Sequence, residues 1–147
     1  DIVHHGFTEM LNNAHDHSCG NFVTVSIEKN AKELSMMVGD DGIGIFEKIR
    51  SELNLPDKRL AMLELSKGKL TTDSANHSGE GIFFTSRMFD VFIIKANGLD
   101  YSHDIKLPFD FLMENKLMKT YDRKGTFVFM NISLDSQRTT KENRPRS

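Results

Sequence analysis

The sequence predicts an α+β two-layer sandwich, with helices on one face of a mixed, mostly antiparallel sheet. Three observations carry this prediction. The first segment has apolar residues at helical spacing, and two late runs of apolar residues are joined by Asn97 and Gly98. The elements also fall in the order helix, two strands, an irregular region, helix and three strands. With 147 residues, 38% hydrophobic and 27% charged, the chain can fill one core but not two.

Val3, Phe7, Met10 and Ala14 recur at helical spacing and Leu11 widens the stripe, so the first helix buries one face and keeps a polar one. After a break at 18–21, Phe22, Val25 and Ile27 predict a strand, with 34–38 as its hairpin partner across a polar turn at 29–32. Residues 46–78 are polar and punctuated. They hold short helices at 47–53 and 57–66, then an unpatterned run, and the whole reads as a mobile segment. A helix opened by Gly81 covers 82–89. Strands at 91–96, 101–107 and 126–133 follow, the first two joined by the Asn97 and Gly98 turn. The stretch 109–122 is ambiguous between helix and strand. The domain is expected over 1–134, with 135–147 a polar tail or linker.

Lysine plus arginine number 19 against 21 aspartate plus glutamate, a net charge of −2, and no basic block is long enough to track a phosphate backbone. Nucleic acid is therefore not an expected partner. The single Cys19 cannot form an internal disulfide, and no charged-then-apolar leader or long uncharged apolar run occurs. A cytoplasmic setting without membrane association is the expectation.

The chemistry concentrates in three short motifs. On the first helix Glu9, Asn13 and His17 stand four apart on one polar face. A carboxylate there could orient or deprotonate an attacking hydroxyl, and an asparagine oxygen is a hard ligand suited to magnesium. Taken alone, this pattern is more often a solvated helix face. In Asp40 to Ile45 (DDGIGI), glycines two apart let the backbone pass close to a flat ligand with an acidic side chain fixed before the turn. In isolation such a pattern is usually just a turn. Gly79, Glu80 and Gly81 precede a helix, where unpaired amides would face a phosphate.

Together the motifs resemble the GHKL family, the Bergerat or HATPase fold of gyrase, the ninety-kilodalton chaperones, histidine kinases and mismatch-repair ATPases. The family's N-box, E-x-x-x-N-A-x-x-H, is matched by Glu9, Asn13, Ala14 and His17. Its D-x-G-x-G box is matched by Asp40, Gly42 and Gly44, and its G-x-G box by Gly79 and Gly81. Gly125 and Thr126, leading into a late strand, match the family's threonine near the adenine. Asp16 stands where many histidine kinases carry lysine, and Glu9 where those kinases carry asparagine. The N-box is thus more similar to that of the ATPases and anti-sigma serine kinases.

The resemblance implies the Bergerat fold and binding of ATP with magnesium. By it, Asp40 would accept the adenine amino group, Thr126 would stand near the adenine, and Gly42, Gly44, Ile45 and Ile82 would belong to the nucleotide-binding residues. Asn13 would ligate magnesium, His17, Gly79 and Gly81 would line the nucleotide site, and Glu9 would be the general base. The segment 46–78 would be the lid. Within it Lys67 and Lys69, and beyond it Arg87, are cations in reach of the phosphates, with solvated surface charge as the plain alternative. The activity would be hydrolysis or phosphoryl transfer to a protein hydroxyl. The alternatives are a non-hydrolysing, nucleotide-gated binding module and the catalytic domain of a histidine kinase. Partners would be ATP and an unidentified protein partner or substrate, and a homodimer is compatible with the family. Competing motifs fail on spacing: a P-loop ending at Lys69 would need glycine at Leu63, and His15, His17 and Cys19 point in different directions on a helix.

Overall fold

A computed structural model of the chain describes residues 1–17, 19–68, 78–115 and 124–135, with backbone alone at 16–17 and 78–80. Helix α1 (Ile2–Asn12) runs into a π-helical turn (Asn13–His17) and is followed by strands β1 (Val23–Lys29) and β2 (Glu33–Asp40). Helices α2 (Ile45–Glu52), α3 (Lys58–Lys67) and α4 (Ser78–Ser86) come next. Strands β3 (Val91–Ala96), β4 (Leu99–Asp104), β5 (Phe111–Glu114) and β6 (Thr126–Ser133) complete the order.

The strands form one sheet in the order β1-β2-β6-β3-β4-β5. Every pairing is antiparallel, so the expected mixed sheet is corrected to a purely antiparallel one among the described residues. The register aligns Val38, Val128, Ile94 and Tyr101 across four strands, and Met36, Met130, Phe92 and His103 in the next row. These rows are buried. Side chains alternate across a strand, so one face carries the core while Met37, Phe129 and Ile93 stand half-buried on the other. Against the core face pack Ile2, Met10 and Ala14 from the first helical segment, Phe46 and Ile49 from α2, Ala61 and Leu65 from α3, and Ile82 from α4. The molecule is thus α+β, helices on a six-stranded antiparallel sheet.

Helix α1 begins where the Asp1 carboxylate accepts the Val3 N–H at 3.0 Å. Of the expected stripe, Met10 and Ala14 are buried, whereas Val3 and Phe7 are only partly so and Ile2 and Gly6, one position earlier, take the buried face in the first turns. Gly6 sets this rotation, since a β-carbon there would strike the Phe89 ring. The short helices read inside 46–78 are present as α2 and α3, and both contribute buried side chains to the core. Lys69 and the rest of 69–77 lie outside the described residues, as does the tail from 136 onward. The glycine pair expected ahead of a helix lies in the first turn of α4, which starts at Ser78. The ambiguous stretch supplies β5, an edge strand exposed on both faces. Its remainder, 116–122, lies outside the described residues.

The far end of α4 is held by a polar cluster. The Arg87 guanidinium pairs through both terminal nitrogens with the Asp110 carboxylate and lies 4.7 Å from the centre of the Phe83 ring. Asp110 also accepts the Tyr101 hydroxyl and stands 2.8 Å from His103 Nδ1. Arg87, read as a cation in reach of phosphates, is committed here. Burial alone would push the Asp110 carboxyl up, yet hydrogen bonds from His103, Arg87 and Tyr101 outweigh it and hold it far below the usual carboxylate range. Among the described residues no helix is long and apolar enough to cross a membrane.

Candidate functional site

Five elements converge at one end of the sheet. The last residue of β2 is Asp40 and the first of β6 is Thr126, side by side in the ladder's extension. Asn13 at the end of α1, Gly44 and Ile45 at the start of α2, and Ile82 in α4 close around them. They line a pocket of about 420 Å³, open to solvent, whose walls also include Met10, Ala14, Val38, Ile94 and Val128. The lining has the composition common in small-molecule sites, apolar walls with a few polar groups.

Asp40 is the acidic group of this pocket. Its Oδ1 accepts the Gly42 N–H at 2.9 Å and the Thr126 N–H at 3.2 Å. Oδ2 has no hydrogen bond among the described residues. Burial raises the pKa of this carboxyl, partly countered by the two amide bonds and reinforced by the charge of Asp41. The neighbouring Asp41 does different work, taking the Asn21 and Phe22 amides at 2.7 and 2.9 Å and so fixing the entry to β1.

Thr126 links the pocket wall to α2, its hydroxyl oxygen accepting the Ile45 N–H at 2.8 Å. Of the two glycines in the motif, Gly44 takes the left-handed region at φ 89°, whereas Gly42 has no positive φ and serves through its amide. Asn13 sits where α1 widens into the π-helical turn, a distortion common at functional sites. Its Nδ2 donates to the Glu9 carbonyl at 3.0 Å, which leaves Oδ1 for other partners. Glu9 does not line the pocket, but its carboxylate lies against Gly81, where an added β-carbon would collide with Oε1.

The structure therefore brings together Asn13, Asp40, Gly44, Ile45, Ile82 and Thr126, with Gly42, Glu9 and Gly81 beside them. Gly79 lies in the first turn of α4 and His17 in the π-helical turn, both described by backbone alone. Lys67 stands apart from these. It closes α3 on the protein surface, paired with Glu64 at 3.3 Å, and is not part of the pocket. The cation in the lining is Lys48, which sequence reasoning passed over. Its signal was available: on α2 it follows Gly44 by four residues and Ile45 by three, which places all three on one side of the helix.

The donor set is compatible with a nucleotide. Apolar walls suit a flat base, the Asp40 oxygen suits an exocyclic amine, and the Asn13 oxygen is the hard, neutral ligand magnesium takes beside phosphates. Among the described residues no group of three or more His, Cys, Asp or Glu side chains could hold a metal by itself. No protein-family model matches the chain, and no curated protein matches it.

Proposed function

We propose that this chain is an ATP-binding domain of the GHKL type, with the Bergerat fold, which binds ATP with magnesium and hydrolyses it or passes its phosphoryl group to a protein hydroxyl. The observation that carries the reading is Asp40: one oxygen is locked by two backbone amides in the wall of a largely apolar pocket, and the other has no hydrogen bond among the described residues and is left as an acceptor. This arrangement accepts an amino group and rejects a carbonyl oxygen in its place. Adenine is therefore selected over guanine at the same position.

In this reading Ile45, Ile82 and Val128 pack on the base, Asn13 would hold magnesium through its oxygen, and the ion would supply charge neutralisation at the phosphates. The first-turn amides of α4, one residue before Ile82 of the pocket lining, would be backbone donors for the phosphate end. Glu9, braced against Gly81, is the base that would orient or deprotonate the attacking hydroxyl.

Calorimetric titration with ADP and a non-hydrolysable ATP analogue, with and without magnesium, tests the site. The analogue should bind more tightly with magnesium. Asn13→Ala should erase that gain and keep the magnesium-free affinity; an equal loss in both conditions would refute the metal role. The base assignment has its own test. In Gly81→Ala the new methyl must displace the Glu9 carboxylate, a flexible group, so the fold is unharmed and helix propensity improves by about 1 kcal/mol. Turnover should fall to the level of Glu9→Gln while ADP affinity stays. Full turnover in both variants would remove Glu9 from the chemistry.

A further inference from the structure

Helix α2 starts without help from its own loop, because its N-cap is Gly44 and no side chain of the preceding residues caps it. Its first-turn amides are served from far along the chain. Thr126 takes the Ile45 N–H, and Asn97 Oδ1 takes the Glu47 N–H at 3.2 Å. The same Asn97 amide donates through Nδ2 to the Ile43 carbonyl at 3.0 Å. One side chain thus spans both sides of Gly44.

The fit depends on two backbones at once. A β-carbon on Gly44, at φ 89°, would strike the Asn97 amide. Asn97 at φ 55° and Gly98 at φ 73° form the left-handed pair of a two-residue hairpin turn between β3 and β4. Such a turn accepts Asp-Gly or Gly-Gly as readily as Asn-Gly. The loop is more demanding. Aspartate could accept from Glu47 but would set a second oxygen against the Ile43 carbonyl, and glycine offers neither bond. The requirement for asparagine therefore comes from the 43–47 loop and not from the turn that carries it.

We propose that Asn97 is the positioning residue of the nucleotide site, holding Gly44 and Ile45 in the shape that receives the base. Asn97 does not line the pocket; it acts through two residues that do. The inference rests on the ATP reading of that pocket.

The experiment compares wild type, Asn97→Gly, Asn97→Asp and Asn131→Ala at a temperature well below unfolding, by ADP calorimetry and amide hydrogen exchange. Asn131 is the control, because its bonds to Ser35 and Glu33 lie at the other end of the β2 and β6 ladder. Asn97→Asp should weaken ADP binding about 10-fold, the effect of one lost hydrogen bond in the loop; Asn97→Gly, which loses both bonds, should weaken it at least as much, and Asn131→Ala should bind as wild type does. Exchange at the Glu47 amide should quicken in Asn97→Gly and stay slow in Asn97→Asp, which keeps the acceptor. Unchanged ADP affinity in both Asn97 variants, or an equal loss in Asn131→Ala, overturns the proposal. A wild type that binds no ADP overturns the nucleotide reading itself, a result distinct from wild-type binding that the Asn97 variants share.

Discussion

Replacing Asp110 with asparagine is expected to lower the free energy of unfolding by about 3 kcal/mol, the lower end of the range for breaking a buried ion pair. The lower end applies because the Arg87 side chain keeps 20% of its surface exposed, against 10% for Asp110. The loss follows from what remains. Arg87 would keep its position beside Phe83 and His103 with no counter-charge, and the Tyr101 hydroxyl and His103 would share a neutral amide. Chemical denaturation measures this directly, and a loss below about 1 kcal/mol, the value of an exposed pair, would contradict it.

The pH dependence has a definite sign. The Asp110 carboxyl is held below its unfolded value of 3.8, so its contribution is fully present above that value and is lost as pH falls through the lower, folded one. Asp40 is opposite: its raised carboxyl contributes stability below 3.8 that disappears as pH rises through the folded value. Acid unfolding between about pH 4 and pH 2 should accordingly be shallower in Asp110→Asn than in wild type.

Asp40→Asn should separate stability from binding. At neutral pH the substitution removes a desolvated charge while its oxygen can still accept the Gly42 and Thr126 amides, so the fold should be as stable as wild type or more so. ADP binding should weaken by about 1–3 kcal/mol, because an amide cannot present an acceptor to the adenine amine while keeping both backbone bonds. Few substitutions are expected to improve a fold and weaken its site together. Those that do mark a group held in an unfavourable place for function.

The fold was largely legible because its strong signals are local. The spacing of Val3, Met10 and Ala14, the alternation in β3 and β6, and the Asn97 and Gly98 turn each depend on neighbours in the chain. Strand β5 was illegible since Phe111 to Glu114 are exposed on both faces at the sheet edge and show no alternation. The purely antiparallel pairing was equally hidden, because the insertion of β6 between β2 and β3 is a long-range choice.

The site divides the same way. Asp40, Asn13 and Thr126 could be found because each sits in a spaced motif, and the pocket gathers all three. Lys48 belongs to none of the spaced motifs and was passed over. Lys67 was read as a lid cation in reach of the phosphates, with surface charge as the alternative, and Glu64 three residues earlier gives it a partner on the same helix face. Asn97 signalled a turn and gave no sign of its bonds to Ile43 and Glu47, some fifty residues away. Arg87 and Asp110 lie 23 positions apart and meet only once β4 is in the sheet.

The most direct test of the central claim is a pair of calorimetric titrations, ADP into wild type and into Asp40→Asn, each protein first shown to be folded by its unfolding transition. Saturable binding to wild type is expected, weakened about 5- to 150-fold in a variant of equal or greater stability. Equal affinity in the two proteins, or no binding to a folded wild type, would contradict it.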